Sequence, residues 1–482
     1  MNISLSILEI AVVLLGVALL LLDLWTPPQR KHLLGYLGAA GLGLVLIGSF
    51  FVPISDAPQT AFGGMFVHDH LALFFKQLFL LATIGVLLIS VEFAPKIETG
   101  ISEFYTLSVF ALSGMMFAAS ANNFVMVFVS LEVVTITFYI LTSFMKNRMQ
   151  SLEAGVKYLI LGALSSAFLV YGIALVYGAS GSMAFSEIAA SSDIALESNI
   201  FKLGMLFVLA GLGFKIAAFP YQIWVPDVYQ GSPTPATAFL AIGSKATGFV
   251  LILRVLYSAV PELALSWEHL FMGIAALTIL YGNLCALPQR NLKRLLGYSS
   301  IANAGYLMLG IAALSPAGSA AILYYLGGYL FTTLTAFTVI MLVSKSTGTE
   351  DISSLAGLNE RSPFLAFAMT LSMVSLAGIP PLAGFFGKFL LVRAVIEQAS
   401  SYSAYYALAG VAVVGVAISI YYYFGVIRAI YWSKDPVETS PIATSTPIRL
   451  TVAAGIAGML YLGILPDEVL KMAEQAAASL QF

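Results

Sequence analysis

Phe124 to Leu141 reads FVMVFVSLEVVTITFYIL, an apolar run that is interrupted by a single carboxylate, Glu132. A helix of about 20 apolar residues spans the hydrocarbon core of a lipid bilayer. A charged side chain at that depth costs at least about 2.5 kcal/mol on insertion scales, so it needs a partner or a function. The stretch predicts a membrane helix whose glutamate either forms a structural ion pair or takes part in chemistry.

The composition of the whole chain extends this prediction. Of its 482 residues, 60 % are hydrophobic and 10 % are charged, whereas about 25 % of residues are charged in a soluble globular domain. The net charge of −2 argues against a nucleic-acid partner, because no basic stripe is available to neutralise phosphates. We expect a multi-pass membrane protein that has lipid as its main solvent.

Motifs for cofactors are missing from the sequence. It contains neither a Walker A sequence nor a G-x-G-x-x-G that follows a predicted strand. Cys285 is the only cysteine, so the chain can form no internal disulfide and cannot hold an iron–sulfur cluster by itself. His68 and His70 flank Asp69 in a predicted loop, where an H-x-H is more often solvated than bound to metal. We expect no cofactor site and no metal site in this chain.

Apolar runs recur from end to end, separated by charged or Pro/Gly-rich breaks. We count fourteen candidate membrane helices, which gives an all-α polytopic fold. They begin near Ser4, Leu33, His70, Phe104, Asn122, Glu153, Ile200, Pro233, Trp267, Leu295, Ala317, Pro363, Ala404 and Pro447. No connection between them is long enough for a soluble domain.

Basic residues between the helices indicate orientation, because cytoplasmic loops are rich in Lys and Arg. Thirteen follow odd-numbered helices, whereas the loops after even-numbered helices contain only Lys202 and the C-terminal tail only Lys471. The thirteen are Arg30, Lys31, Lys96, Lys146, Arg148, Arg290, Lys293, Arg294, Lys345, Arg361, Arg428, Lys434 and Arg449. We expect the odd-numbered loops in the cytoplasm and both termini on the outer side.

Seven further basic residues fall inside the predicted helices. Lys215, Lys245 and Lys388 lie deep and are flanked by apolar residues, so a function explains them better than any other role. Arg254 and Arg393 lie toward helix ends, where long side chains can reach the headgroups, and snorkelling is the simpler explanation for them.

Two lysines remain ambiguous. Lys76 lies about two turns inside the third helix, where snorkelling and function are both possible. Lys157 follows Glu153 by four residues, a spacing typical of a surface ion pair. A role in a relay is equally compatible with that position.

A buried glutamate together with buried lysines is suited to moving protons. Desolvation disfavours a charged lysine and a nearby carboxylate favours it, so moving Glu132 relative to Lys215 would change whether that lysine holds its proton. The alternative is a structural ion pair that fixes two helices. If the switch interpretation is correct, a row of buried lysines that change their charge in this way would form a proton path.

Prolines lie close to two of these lysines. Pro220 follows Lys215 by five residues, and Pro380 and Pro381 precede Lys388. A proline inside a span frees backbone groups that only protein or a water-lined cavity can satisfy. The two segments, 211–226 and 377–389, are therefore typical of the broken helices that occupy corresponding positions in the two halves of transporters.

Several segments resemble the antiporter-like membrane subunits of proton-pumping NADH:quinone oxidoreductase, respiratory complex I. They extend from the fifth to the twelfth predicted helix, and the fourteen-helix layout fits that family over the whole chain. The segments are SLE at 130–132, SLEAGVKY at 151–158, GLGFK at 211–215, VPDVYQGSPTP at 225–235, NLKRLLGYSS at 291–300 and SLAGIPPLAGFFGKF at 375–389. A lysine at position 388 resembles the N and L branches of the family, and the short segment after the last helix resembles the N branch.

The resemblance implies roles for individual residues. Glu132 would be the glutamate of the fifth helix, Lys215 the lysine of the seventh, Lys245 the relay lysine of the eighth and Lys388 the exit-side lysine of the twelfth. Asn303, in SSIANAGYL, stands where several relatives have a histidine. An amide at that point could hold water in place of a protonatable group. Together with Lys157, it is a weaker candidate for the relay.

The resemblance also implies a division of the chain. Two inverted five-helix repeats, each with one broken helix, would cover helices 4 to 8 (residues 101–262) and helices 9 to 13 (residues 263–433). Helices 1 to 3 (residues 1–100) would precede them, and helix 14 with the C-terminal tail (residues 434–482) would follow.

In that family the chain would be a proton-translocating subunit in a bacterial inner membrane. NADH, FMN, the iron–sulfur clusters and the quinone would bind to partner subunits, which are the other membrane subunits and the peripheral arm. The alternative is a subunit of a stand-alone multisubunit cation/proton antiporter, which shares the fold and the lysines. A non-transporting scaffold would leave the three deep lysines unexplained.

Overall fold

A computed structural model describes residues 3–55, 57–191, 197–433 and 438–480, and these residues are mostly helical. In chain order the helices and strands are α1 (Ile7–Trp25), α2 (His32–Ser49), β1 (Gln59–Ala61), β2 (Phe66–His68), α3 (His70–Phe93), α4 (Ile101–Ala119), α5 (Phe124–Thr142), α6 (Met149–Ser180), α7 (Phe185–Ala190), α8 (Asn199–Ile216), α9 (Val225–Gly231), α10 (Thr234–Ala259), α11 (Pro261–Ser266), α12 (Glu268–Ala286), α13 (Leu292–Ala312), α14 (Pro316–Thr347), α15 (Leu358–Arg361), α16 (Pro363–Ala377), α17 (Ala383–Gln398), α18 (Ala404–Trp432), α19 (Thr446–Ile464) and α20 (Asp467–Ala477). Short 3₁₀ turns cover Ile3–Ser6, Pro28–Arg30, Ala94–Lys96, Gln222–Trp224 and Ile352–Leu355.

Thirteen of these helices, within the described residues, are long and apolar enough to cross a membrane. They are α1 to α6, α8, α10, α12 to α14, α18 and α19. They occupy thirteen of the fourteen predicted positions. The remaining position, near Pro363, holds two shorter helices, α16 and α17, in place of one long span.

Two helices are broken where the prolines predict breaks. α8 ends at Ile216, and the chain continues through a 3₁₀ turn into α9. α16 ends at Ala377, and α17 begins six residues later at Ala383. Gly378 closes α16 with a φ of 80°, a left-handed conformation that glycine adopts without steric cost.

The centre of the bundle is formed by α10, α13 and α14, which are almost wholly covered by other helices. In contrast, only about a third of the residues in the most apolar segments of α1, α2, α6 and α19 are buried. Apolar surface of this kind is expected to face lipid tails, because water does not solvate it well. The central helices are thus the ones in which a buried charge is furthest from any surface.

The middle of α10 departs from ideal helical geometry. Leu240–Ser244 and Val255–Ala259 form π-helical turns, so that Lys245 directly follows the first turn and Arg254 directly precedes the second. Such turns are rare and are frequently found at functional sites. Both charged residues of this central helix are therefore placed beside a local distortion.

A short antiparallel hairpin of β1 and β2 lies between α2 and α3, with Thr60 opposite Val67. His68 ends β2, and Asp69 caps α3 by accepting a hydrogen bond from the Ala72 backbone N–H at 2.8 Å. His68 and Asp69 are both buried. The expectation of solvated residues in this loop is therefore wrong.

Two details of the predicted loops change. Lys293, expected in a loop, lies in the first turn of α13 with its side chain fully buried, and its Nζ is 3.0 Å from Glu350. Lys434, one of the thirteen basic residues, lies outside the described residues.

Candidate functional site

Lys215 lies in the last turn of α8, where the helix breaks. Its side chain is buried, and in the described part of the chain its Nζ has no hydrogen-bond partner. The ammonium lies 5.6 Å from the ring centroid of Tyr158, within reach of a cation–π interaction. The C-terminal end of a helix also favours a cation, because its free carbonyl groups carry partial negative charge.

The break beside Lys215 is held open by a side chain. The indole Nε1 of Trp224 donates a hydrogen bond of 3.0 Å to the carbonyl of Phe214. This satisfies a carbonyl group that a continuous helix would have used. Trp224 also packs against Tyr158, with ring centroids 4.8 Å apart, so the same residue supports the ring that faces the lysine.

Glu132 does not contact Lys215 directly. No ion pair joins the two in the described chain, and the Glu132 carboxylate instead accepts a hydrogen bond of 2.5 Å from Ser166. Ser166, Gly162 and Tyr158 follow one another at four-residue spacing and so form a stripe on α6, about 12 Å long by helical rise. The expected direct pair is therefore not formed within the described residues. Ser166, which donates to the Glu132 carboxylate, and Tyr158, which faces Lys215, lie about two turns apart on the same side of α6.

Lys245 is held more tightly than Lys215. Its Nζ donates to the Ser300 backbone carbonyl at 2.5 Å and to the Ser300 hydroxyl as well. The hydroxyls of Tyr229 and Tyr329 lie 3.1 Å and 3.2 Å from the same Ser300 Oγ. Ser300 is thus the junction at which Lys245 meets two tyrosines.

A glycine allows the helices of the two lysines to approach each other. A Cβ at Gly248 of α10 would lie 2.6 Å from the Ile216 side chain and 3.2 Å from Lys215 Cβ. Any larger residue would push α10 away from the broken end of α8. Gly248 lies three residues after Lys245, on the same stretch of α10.

Asn303 continues the network along α13. Its Oδ1 accepts a hydrogen bond of 2.7 Å from the Tyr325 hydroxyl, and its Nδ2 lies 3.4 Å from Ser299 Oγ. The ring of Tyr325 stacks on that of Tyr329 with centroids 6.2 Å apart, which connects Asn303 to the Lys245 end of the network. The amide therefore takes part in a chain of hydroxyl groups, although it cannot itself hold a proton at neutral pH.

Lys388 lies at the second broken helix and is the last of the three buried lysines, Lys215, Lys245 and Lys388, which with Glu132 and Asn303 form the central row. Its Nζ donates a hydrogen bond of 2.6 Å to the carbonyl of Leu376, in the last turn of α16, and lies 4.5 Å from the ring centroid of Tyr306. Tyr306 follows Asn303 by one turn on α13. Lys388 thus bridges the break between α16 and α17 and faces the Asn303 segment.

The structure brings Lys157 to a different cluster. Its Nζ lies 2.7 Å from both Glu153 and Asp227, and its side chain is 42 % exposed. Arg294 of α13 also pairs with Asp227, with its Nη1 2.5 Å from Asp227 Oδ1. The expected pair with Glu153 is confirmed, and Lys157 lies at a half-exposed ion cluster instead of in the central row.

The two intrahelical arginines differ from each other. Arg393 is mostly exposed and pairs with Glu397 on the same helix, as expected of a residue near a helix end. Arg254, expected to snorkel, is instead buried and forms two hydrogen bonds with Asp69, at 2.6 Å and 2.7 Å. The snorkelling interpretation of Arg254 is wrong because a partner from another helix lies within reach.

Several members of the site were not singled out from sequence. Ser166, Tyr158, Ser300, Tyr325 and Tyr329 carry no charge, and only their place between charged residues distinguishes them. A second fully buried pair, Glu9 with Lys76, was also missed as a pair, because Glu9 lies only one turn inside α1. Within the described residues, no group of three or more His, Cys, Asp and Glu side chains could hold a metal ion.

More than half of the chain matches a known family of membrane proteins. Residues 121–419 match the model of a family described as "NADH:quinone oxidoreductase/Mrp antiporter, TM". The matched region begins just before α5 and ends within α18. It therefore contains all of the central row.

Similar proteins cover the full length of the chain. The NADH-quinone oxidoreductase subunit N of Moorella thermoacetica is 39 % identical over 478 residues, which are 99 % of each chain. A chain of respiratory complex I from Thermus thermophilus with bound aureothin is 35 % identical, with a TM-score of 0.81 over 97 % of this chain and 100 % of that one. A chain of the Mrp complex from Dietzia sp. has a TM-score of 0.87 over 100 % and 98 %, but at 21 % identity it shows the shared fold alone.

Proposed function

The chain belongs to the family of NADH:quinone oxidoreductase and Mrp antiporter membrane subunits, and we propose that it moves protons as subunit N of an NADH:quinone oxidoreductase. NADH oxidation and quinone reduction occur on partner subunits, and this chain carries no redox centre of its own. Its partners are the other membrane subunits and the peripheral arm of the complex. A relative with this name matches over 99 % of the chain.

One observation carries the proton-moving function. Hydrogen bonds run from Lys245 through Ser300 to Tyr329 and from Tyr325 to Asn303, and the stacked rings of Tyr329 and Tyr325 join the two parts in the most deeply buried region of the bundle. Hydroxyl groups can donate and accept at once, so each can pass on a proton as its hydrogen bonds reorganise. Buried polar groups are costly unless they are paired, so the members of such a network hold one another in place.

The roles of the charged residues follow from their surroundings. Glu132 is the switch, because its charge acts on Lys215 from the far end of the α6 stripe. Lys215, which has no hydrogen-bond partner among the described residues, is the group that most readily changes its charge, and Lys245 and Lys388 receive the proton in turn. Asn303 positions hydroxyls or water between those two lysines. Lys157, at the half-exposed cluster, is the weaker candidate for the relay.

The remaining expectations form part of the same proposal. The two repeats cover residues 101–262 and 263–433, and the breaks in α8 and α16/α17 occupy matching places in them. The chain lies in a bacterial inner membrane with both termini on the outer side, and the basic loops support this orientation. NADH, FMN, iron–sulfur clusters and quinone are bound by partner subunits.

The alternative function is a subunit of a stand-alone cation/proton antiporter. The Mrp chain has the same fold, yet its identity of 21 % is far below the 39 % of the oxidoreductase relative. The oxidoreductase is therefore the better supported assignment.

Purification from the native membrane tests this choice. We expect the chain to co-isolate with a peripheral arm that oxidises NADH and reduces a quinone. Isolation without such an arm, together with salt-dependent cation/proton exchange in vesicles, would contradict the proposal and favour the antiporter.

A further inference from the structure

A second buried ion pair lies outside the central row. Glu9 Oε1 of α1 is 2.7 Å from Lys76 Nζ of α3, and both side chains are fully buried. Apart from each other, neither the carboxylate nor the ammonium has a hydrogen-bond partner in the described part of the chain. Burying two charges costs several kcal/mol per ion, which the attraction between them repays only when further hydrogen bonds are made. Stability alone therefore gives little reason to keep this pair.

A neighbouring ion pair shows what a structural bridge looks like in this protein. Asp69 accepts two hydrogen bonds from Arg254 and a third from the Ala72 N–H. Arg254 donates further bonds of 3.1 Å and 3.0 Å to the carbonyl of Ala119 at the end of α4. Every strong polar group of this bridge is satisfied. The Glu9–Lys76 pair differs from it in being held by little except its own charges.

A histidine of the hairpin, His68, lies two residues before α3, the helix that carries Lys76. His68 is buried and ends β2, where its strand partner Gln59 is exposed. Burial lowers the pKa of His68 below its usual value, and Lys76 adds to the lowering. The Pro53 backbone, Glu9 and Asp69 act in the opposite direction. His68 is therefore held near neutrality, in electrostatic contact with both members of the pair.

The Asp69–Arg254 bridge fixes the depth of the pair relative to the relay. Lys76 follows Asp69 by seven residues along α3, about 10.5 Å of helical rise. Lys245 precedes Arg254 by nine residues along α10, about 13.5 Å of rise. From the bridge, α3 extends into the bundle toward its C-terminus and α10 extends into the bundle toward its N-terminus. Lys76 and Lys245 therefore lie at nearly the same depth. The Glu9–Lys76 pair is thus about as deep in the bundle as Lys245 of the relay, but it lies to one side of the relay.

We propose that Glu9, Lys76 and His68 form a second proton-binding site, which exchanges protons with the water on the hairpin side of the bundle. A proton that moves from Lys76 Nζ to Glu9 Oε1 converts the charged pair into an amine and a carboxylic acid without changing the net charge. The acid then gives the proton to the neutral imidazole of His68, which releases it to the water on the hairpin side. The Lys76 amine is reprotonated by the reverse route, from that water through His68 and Glu9. Since such a site matters only in a proton-moving chain, this assignment rests on the proposed function.

Other polar groups around the site do not replace these three. Asp69 and Arg254 are committed to each other, and Gln77 of α3 donates to Ser49 of α2 at 3.2 Å. The ring of Phe66 lies 4.9 Å from Lys76 Nζ, where it stabilises the ammonium without accepting its proton.

Replacement of both members of the pair separates a proton site from a structural bridge. The variant is Glu9→Leu with Lys76→Met, in the assembled complex reconstituted in proteoliposomes. Apolar replacement of a buried ion pair is often neutral or stabilising, so a structural pair predicts normal assembly and normal proton pumping per NADH oxidised. A proton site predicts normal assembly with a loss of pumping. Normal pumping by this variant would overturn the proposal.

A second variant covers the case in which the double replacement fails to assemble. His68→Gln keeps a hydrogen-bonding side chain but removes the group that takes the proton, and we expect a loss of pumping at a normal amount of complex. Unchanged pumping in His68→Gln would overturn the proposal as well.

Two further measurements make the outcome specific. The Lys293→Met, Glu350→Leu pair is the matched control, because these two side chains form a largely buried ion pair outside both sites, and pumping per assembled complex should stay at the wild-type level. Lys215→Ala in the same preparation tests the proposed function by itself. Normal pumping by Glu9→Leu, Lys76→Met beside a defective Lys215→Ala would refute the second site alone, whereas normal pumping by Lys215→Ala would refute the relay.

Discussion

The three central lysines differ in what holds their charge. Lys245 donates two hydrogen bonds to Ser300, and Lys388 donates one to the Leu376 carbonyl. Lys215 has only the face of Tyr158 and no hydrogen-bond partner in the described residues. Hydrogen bonds to a charged group stabilise it by about 1.5–3 kcal/mol each. Lys215 is therefore the lysine whose charge depends most on the distant Glu132.

The hydroxyl of Ser300 gives a first test at this scale. In Ser300→Ala, Lys245 keeps the backbone carbonyl as acceptor but loses the hydroxyl and, with it, the hydrogen-bonded link to the hydroxyls of Tyr229 and Tyr329. We expect slower proton pumping at an unchanged amount of assembled complex, measured in proteoliposomes with NADH. Ser372→Ala is the control, because the Ser372 hydroxyl is buried but bonds only to the Ala368 carbonyl of its own helix. Equal pumping by the two variants would remove Ser300 from the path.

The buried histidine gives a test of pH dependence. Because the pKa of His68 is lower in the folded protein than its ordinary value of 6.5, protonation favours the unfolded state. Its contribution to stability is fully present above pH 6.5 and is lost as the pH falls from 6.5 through the lower, folded-state pKa. Between about pH 7 and pH 5, thermal stability in detergent should fall more in the wild type than in His68→Gln. Parallel pH profiles of the two proteins would contradict this.

At the scale of elements, the breaks and one close helix contact shape the site. The end of α8 leaves Lys215 at a helix terminus, and the gap between α16 and α17 lets Lys388 reach back to the Leu376 carbonyl. The contact between α8 and α10 depends on Gly248, where a Cβ would meet Ile216 and Lys215. Packing of the Gly248 backbone against the Ile216 and Lys215 side chains therefore sets how closely the helices of two lysines of the row approach.

Gly248→Ala tests that contact. Overpacking of a close contact typically costs about 1–3 kcal/mol, and here the strain would move α10 away from Lys215. We expect lower thermal stability and slower proton pumping. In the control, Gly410→Ala, the added methyl group meets nothing within 4 Å, so neither property should change. A Gly248→Ala variant that behaves like Gly410→Ala would show that the close approach is not required.

How far the sequence predicts the elements depends on the range of the forces involved. Apolar length gave the spans, and the prolines gave both breaks, because these signals are local. The burial of Lys215, Lys245 and Lys388 followed from their depth within a span. The depth of a residue within its helix does not show which residue of another helix lies beside it. The Asp69–Arg254 bridge, for example, joins residues 185 positions apart. The pairing of Lys293 with Glu350 was not predicted either, because Lys293 was assigned to a loop.

At the scale of the whole molecule, charge distribution sets the orientation. The basic residues cluster at one end of the bundle, where Lys345 pairs with Glu92 and Lys293 pairs with Glu350. The hairpin of β1 and β2 lies in a loop that contains no Lys or Arg. Because cytoplasmic loops are rich in these residues, the hairpin end is expected to face outward.

Labelling of single cysteines tests this orientation. The native Cys285 is first replaced by serine, and a cysteine is then placed at exposed Thr60 of β1 or at exposed Asn147 between α5 and α6. In intact cells, a membrane-impermeant maleimide should label Thr60→Cys but should label Asn147→Cys only after the membrane is opened. The opposite labelling pattern would reverse the orientation.

The central claim is that protons pass through the row that begins at Lys215, and proton pumping in proteoliposomes tests it most directly. The comparison is between the complex with Lys215→Ala and the complex with Lys202→Ala, which removes a lysine near the other end of the same helix. We expect Lys215→Ala to lower the NADH-driven pumping rate by about tenfold or more, since a positioned proton-transfer group commonly contributes at least that much. Lys202→Ala should pump at the wild-type rate. Equal, normal pumping by both variants would contradict the account.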